Sequence, residues 1–524
     1  MNSILDTKTF DYERYEWRRD KTHNSRFRRQ PVGGELLTAV FNSTKNGYGN
    51  LFIGVYTSLM APISTVDLLR HVRRAWISLR WDVPTIAAQI FHEQIDGRSS
   101  PSPWITYDVA QSAKEVESWA EETVKLRENV SELDTLRYEI GDSVLPPKDL
   151  VPQTFLYLVP FTPTTFGILL HTSHVPFDSA ALKILMTKVF EHLSLYILDK
   201  GYSDKQAAKL HWGEEHRNIL PAVTQILRKH EPAKLDVNGE MVVPELPEEP
   251  RDGPAYAETL ENAMAGPNTR VHVFKTFIDP PYDPSATNPK PRRAAHTFTL
   301  EESNRIIAAT RTADVEKFTV NHLLHAALCL VSIIDNQPSP GSDAAIFNLG
   351  VVDARKRLES AFRHSEGYPV FCVGYSPLVT PVSVVTSLPP GTDTKSKILA
   401  LVRELRNQYK AQAALPALLA VGAEQMERMV ATPAPPWLGP IYSGDGRAGD
   451  YLRESYPKDG PNSVISITEF FFGVKVLDPA PVFRTAEWKG RIMLSADYNE
   501  LAVEKKVVEG WMMLWAELIL SVTG

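Results

Sequence analysis

Residues 155–198 read FLYLVPFTPTTFGILLHTSHVPFDSAALKILMTKVFEHLSLYIL. Two strand-like apolar runs, 155–159 and 166–171, lead up to His174. After Asp178, apolar residues at Ala181, Leu182, Leu185, Val189 and Phe190 keep helical spacing and predict an amphipathic helix over 178–198. Asp178-Ser179 suits a helix start, because a carboxylate there accepts free backbone N–H groups and sits at the positive end of the helix dipole. Pro176 stiffens the link between strand and helix. His174 is thus expected on a tight bend that can project its imidazole into a cleft while Asp178 points elsewhere.

Attack of an alcohol on a thioester needs a base that works near neutral pH, and imidazole is the side chain suited to that. A thiolate leaves readily, so a lone histidine suffices and no Ser or Cys nucleophile is required. The pattern His-x-x-x-Asp is weak by itself. It occurs a second time, at His92–Asp96, where Gly97 and the loop residues GRSSPSP follow and no helix begins. That copy reads as a strand end. On spacing alone, His174 is equally compatible with a core histidine beside a helix-capping aspartate.

Outward from this stretch, VDLLRHVRRAWISL (66–79) has helical spacing, and WDVPTIAAQIFHEQ follows as a strand after a Pro-marked turn. Residues 230–295 are rich in Pro and acidic side chains, which predicts a long surface connection with one short strand, VHVFKTFI (271–278). Beyond it the spacing predicts a helix near 300–312, an apolar helix from Thr319, a strand over 344–352 and a helix over 394–412. A strand pair, 463–476 with 490–499, and a closing helix complete the chain. Strands and helices alternate on both sides of the connection, so the fold class is α/β (α+β). The predicted divisions are 1–215, a connecting segment 216–292, and 293–524.

The chain has 524 residues, 43% of them hydrophobic, and a formal net charge of -7. This composition supports a packed core and gives no electrostatic footprint for nucleic acid. A local basic run at Arg18, Arg19, Arg26, Arg28 and Arg29 reads as a solvated arm. The two cysteines, Cys329 and Cys372, lie in apolar surroundings and read as buried hydrophobes. No Cys-x-x-Cys or His-Glu-x-x-His occurs, so no metal is expected. The charged first twenty residues lack a signal-peptide core, and no apolar run reaches membrane-spanning length. A cytoplasmic location without membrane partners is the expectation.

SHVPFDSAALKILM resembles the active-site signature of the chloramphenicol-acetyltransferase-like superfamily, whose His-x-x-x-Asp-Gly ends a strand and opens a helix. FNLGVVDARKRL (347–358) is similar to the family segment whose arginine pairs with the motif aspartate, which makes Arg355 the implied partner of Asp178. The order of SVISITEFFFGVKV, WKGRIMLSADYNE and a closing helix is similar to the family's crossover strand and late strand. Within the superfamily, the layout looks most like the fungal trichothecene 15-O-acetyltransferases of secondary metabolism.

The sequence departs at Ser179, where Gly is usual, and at Ser173, where condensation domains carry a second His. The plant-type Asp-Phe-Gly-Trp-Gly is missing. The resemblance implies two similar domains meeting at an active-site tunnel. It implies His174 as general base, with Asp178 and Arg355 as structural support. Acetyl-CoA would be co-substrate and a small, trichothecene-like alcohol the acceptor, in a monomer. Ser466 or Thr468 on the crossover strand is the expected oxyanion or substrate contact, and the Pro-rich 432–440 a loop near the channel mouth. A condensation-type enzyme fed by a carrier-protein thioester, and a non-catalytic or cyclase-like ligand-binding member, are the alternatives.

Overall fold

The computed structural model describes residues 10–45, 47–94, 101–142, 150–229, 234–235, 241–242, 247–264, 270–277, 290–312, 317–364, 366–431, 438–458 and 463–523. Asp96, parts of the Pro-rich connection and residues 432–437 fall outside them.

A six-stranded sheet carries the motif. Its order is Ser455–Tyr456, Ile465–Val474, Leu51–Leu59, Thr165–Thr172, Thr154–Thr162 and Val124–Leu126. The two runs before His174 form the hairpin Thr154–Thr162 and Thr165–Thr172, as their composition predicts. Ile465–Val474 is antiparallel to Leu51–Leu59, so a strand from late in the chain completes a sheet built mostly from its first third. The expected pairing of 463–476 with 490–499 does not occur. Arg491–Asn499 instead pairs with Val482–Trp488 and Pro291–Thr297 in a separate four-stranded sheet that ends on Ile441–Arg447. Both strands are largely buried, and their apolar composition specified burial but not a partner.

Three other expectations need correction. The motif helix, Ser179–Leu198, is not amphipathic. It is wedged between the helix Thr65–Asp82 and the six-stranded sheet, and even Lys183, Thr187, His192 and Ser194 are buried. The 344–352 run breaks into Ala345–Asn348 and Val351–Asp353, because Gly350 turns the chain at φ 66°. Among the described residues of VHVFKTFI, 271–277, the only strand-type pairing is an isolated bridge from Val271 to Ala345.

The basic run is not a solvated arm either. It forms the edge of a third sheet, in which Arg26 holds Asp108 through two bonds of 2.7 and 2.9 Å. Arg29, 2% exposed, holds Glu35 at 2.6 and 2.7 Å, the two-pronged geometry that makes a buried guanidinium tolerable.

Apolar burial is concentrated in two clusters. One surrounds the motif helix and its sheet and includes Val55, Trp76, Leu170 and Phe190. The other packs Val320–Asp335 and the closing helix Lys505–Leu520 on the four-stranded sheet, with Phe483, Leu494, Trp511 and Trp515 at its centre. Cys329 and Cys372 are both free and buried. Among the described residues no helix is long and apolar enough to cross a membrane.

Candidate active site

His174 follows the sheet strand Thr165–Thr172 by two residues, and the helix opens at Ser179. The His174 ring nitrogen Nδ1 lies 2.6 Å from the Phe177 carbonyl oxygen. A carbonyl only accepts, so Nδ1 must carry the proton, and the neutral ring keeps its lone pair on Nε2. The bend therefore selects the tautomer that a base acting through Nε2 requires. Among the described residues, Nε2 makes no protein hydrogen bond.

The bend is held from outside by the Phe371 N–H, which donates to the Pro176 carbonyl at 2.9 Å. The Phe371 ring lies tilted 5.5 Å from the imidazole. Phe371 and Tyr375 in turn press on Gly34, where a Cβ would meet the Tyr375 hydroxyl at 2.3 Å and the Phe371 ring at 2.4 Å. Only a glycine lets the start of the helix Gly34–Thr44 come so close to these rings.

Asp178 points away from the reacting face and both of its oxygens are engaged. Oδ1 accepts from the Ala181 N–H at 2.7 Å, capping the motif helix, and from Arg355 Nη2 at 2.8 Å. Oδ2 accepts from the Cys372 N–H at 2.7 Å. Arg355 is equally committed: Nε to the Tyr368 carbonyl at 3.0 Å, Nη2 also to Val370 at 2.7 Å, and Nη1 to Asp353 at 2.9 Å. Both partners of the Asp178–Arg355 pair are 2% exposed. The arginine implied by resemblance thus meets the motif aspartate across 177 residues of chain.

Burial pulls the His174 pKa below its ordinary value. The Phe177 carbonyl and the Asp178 charge oppose that shift, and the nearby Arg484 guanidinium adds to it. A ring held neutral in this way is ready to accept a proton at physiological pH.

Ser466 and Thr468 do not reach this bend. Val474 is level with Leu51 and Thr172, at the His174 end of the sheet, whereas Ser466 is level with Ser58 and Thr165 at the opposite end. At about 3.3 Å per residue the two hydroxyls lie roughly 20–25 Å along the strand from the motif. Thr468 is exposed and donates to the Tyr56 carbonyl at 3.2 Å, beside a bulge between Ile467 and Glu469.

The polar groups that do flank the motif were not singled out from the sequence. The Ser179 hydroxyl donates to Asp445 at 3.0 Å, and Arg484 bonds the other oxygen of Asp445. Lys183, one helical turn beyond Ser179 and 1% exposed, adds a second cation to this carboxylate. Burial pushes the Asp445 carboxyl up, and the Arg484 and Lys183 charges more than offset it, leaving it below its ordinary value. Burial pulls the Lys183 ammonium down, against the charge of Asp445. One available signal was the polar Lys183 within an otherwise apolar run, ALKILM.

A family model described as 15-O-acetyltransferase Tri3 matches residues 10–236. The trichothecene O-acetyltransferase TRI3 of Trichoderma arundinaceum is 22% identical over 93% of this chain and 93% of that protein. The trichothecene 15-O-acetyltransferase TRI3 of Fusarium sporotrichioides is 21% identical over 97% and 96%. The solved structure of that Fusarium enzyme superposes with a TM-score of 0.79, at 19% identity, over 97% of this chain and 98% of its own. This chain has the fold of the TRI3 acetyltransferase. More distantly, the first condensation domain of the calcium-dependent antibiotic synthetase shares the fold, with a TM-score of 0.57 at 11% identity over 94% of each chain.

In this chain, the two departures from the usual motif both have structural partners. Ser179, in place of glycine, spends its hydroxyl on Asp445. Ser173, in place of a second histidine, is fully buried and accepts the Val175 N–H at 3.3 Å, which tightens the bend.

Proposed function

We propose that this chain is an acetyltransferase that moves the acetyl group of acetyl-CoA onto a hydroxyl of a trichothecene-like terpenoid, with His174 as general base. Nε2 takes the hydroxyl proton as the alcohol oxygen attacks the thioester carbonyl carbon. The carbonyl π electrons move to oxygen, giving a tetrahedral oxyanion. Its collapse restores the C=O, breaks the C–S bond and expels the CoA thiolate, which recovers the proton from the imidazolium. Asp178 and Arg355 support the bend and take no part in proton transfer. The observation that carries this reading is the Nδ1–H bond to the Phe177 carbonyl, which leaves Nε2 as the free basic nitrogen. The substrate class rests on the similarity to the two TRI3 enzymes.

The experiment is incubation of the purified chain with free acetyl-CoA and a trichothecene that bears a free 15-hydroxyl, followed by mass spectrometry. The expected product is the mono-O-acetyl ester, with one CoA thiol released per ester. Turnover only with an acyl group tethered to a carrier protein would overturn the acetyl-CoA assignment and favour a condensation-type enzyme.

A further inference from the structure

The reaction needs a donor for the oxyanion, and the crossover-strand hydroxyls are too far from His174 to supply it. A preorganised donor in a water-poor site is commonly the largest electrostatic contribution to acyl transfer. Asp178 is a carboxylate and can only accept, and Arg355 already spends four of its five N–H groups on protein acceptors. Arg484 is different. It sits on Val482–Trp488, it is 7% exposed, and its guanidinium lies 4.1 Å over the Phe472 ring. Among the described residues, Asp445 is its only side-chain hydrogen-bond partner, through Nη2, and its Nε is buried without an acceptor.

Two connections place Arg484 at the motif. Asp445 ties it to Ser179, the residue beside Asp178. Phe472, beneath it, pairs with Ile53, which pairs with Leu170 on the strand that leads into His174. The neighbouring carboxylate of Asp497 already takes Arg137 at 2.5 Å. A guanidinium has five N–H donors in a fixed plane, and most of those on Arg484 are unspent. We infer that Arg484 is a second catalytic residue, whose free N–H groups donate to the thioester carbonyl oxygen as it becomes the oxyanion, with Asp445 and Ser179 holding it in position.

This inference rests on the base role proposed for His174. In the chemical step Arg484 forms no covalent bond and moves no proton. It stabilises the electron pair displaced onto oxygen and releases it when the C–S bond breaks. A lysine cannot reproduce the planar set of donors, so Arg484→Lys should recover charge but not full rate.

Arg484→Gln, Arg484→Lys and the native chain are compared for kcat, KM, melting temperature and the pH dependence of kcat/KM. The charged groups acting on His174 are Asp178, from the motif helix, and Arg484, from the facing strand. The cation opposes imidazole protonation, so its removal moves the acid limb to higher pH. Arg484→Gln is expected to lower kcat by roughly 10²–10³-fold with KM for both substrates little changed, the loss seen when one oxyanion donor is removed. Arg484→Lys is expected to return the acid limb to its native position with kcat still down by about tenfold. If Arg484→Gln does not fold, Arg484→Lys decides alone by that loss of kcat. A folded variant of either kind with native kcat overturns the inference, and so does a loss of kcat in Arg484→Gln with an unmoved acid limb. An inactive His174→Ala beside a fully active Arg484→Gln removes Arg484 only, whereas an active His174→Ala removes the base assignment beneath it.

Discussion

Replacing His174 with alanine will lower kcat/KM for acetyl transfer by roughly 10²–10⁴-fold, the range for loss of a positioned general base. The melting temperature should fall only slightly. The side chain makes one hydrogen bond, from Nδ1 to the Phe177 carbonyl, worth about 1 kcal/mol net. The bend keeps its other ties, from Asp178 to Ala181 and Cys372 and from Phe371 to Pro176. Activity and stability should therefore separate cleanly. Binding of acetyl-CoA, read as a thermal shift, should survive, because nothing in the proposed role of His174 contributes to holding the cofactor-sized donor. A folded His174→Ala protein with turnover within about tenfold of native would contradict the assignment, since even a modest general base contributes more than that.

The opposite separation is expected one bond away. Arg355→Met removes the guanidinium but leaves Asp178 charged and buried, and should destabilise the fold by about 3–5 kcal/mol, the usual result of breaking one side of a buried ion pair. Asp178 keeps two backbone donors, which limits the damage to that range. The Tyr368 and Val370 carbonyls lose their partner as well, and the segment that presents Phe371 to the imidazole loosens. Asp178→Asn should also lower stability, because a neutral amide cannot match the buried guanidinium. Chemical denaturation with activity measured in parallel checks both. Either variant folding at native stability yet inactive would mean that the carboxylate acts in the chemistry rather than in the scaffold.

What was legible in the sequence follows from distance along the chain. The bend, its strands and its helix are contiguous, so periodicity, Pro176 and the Asp178 cap were enough to place His174. Arg355, far away in the chain, came from a resemblance and not from spacing. Strand partners were not legible. Ile465–Val474 and Arg491–Asn499 are both largely buried, and nothing local says that one completes the motif sheet while the other pairs elsewhere. The same gap misplaced the oxyanion contact, since the position of Ser466 depends on a register shared with Ser58 and Thr165. Arg484 and Asp445 were invisible for the related reason that two adjacent strands, one buried and one at the sheet edge, bring them together. Lys183 stood out as a cation in an apolar run, but the all-round burial that makes it matter is set by what packs on its helix.

The most direct test is the pH dependence of kcat/KM for the native chain, which reports groups on the free enzyme. A base must be neutral to act, and burial together with Arg484 keeps His174 neutral to lower pH than an ordinary imidazole. The prediction is a single-proton acid limb with its midpoint below 6.5, absent from the residual activity of His174→Ala. A limb at or above 6.5, or the same limb persisting in His174→Ala, would contradict the account.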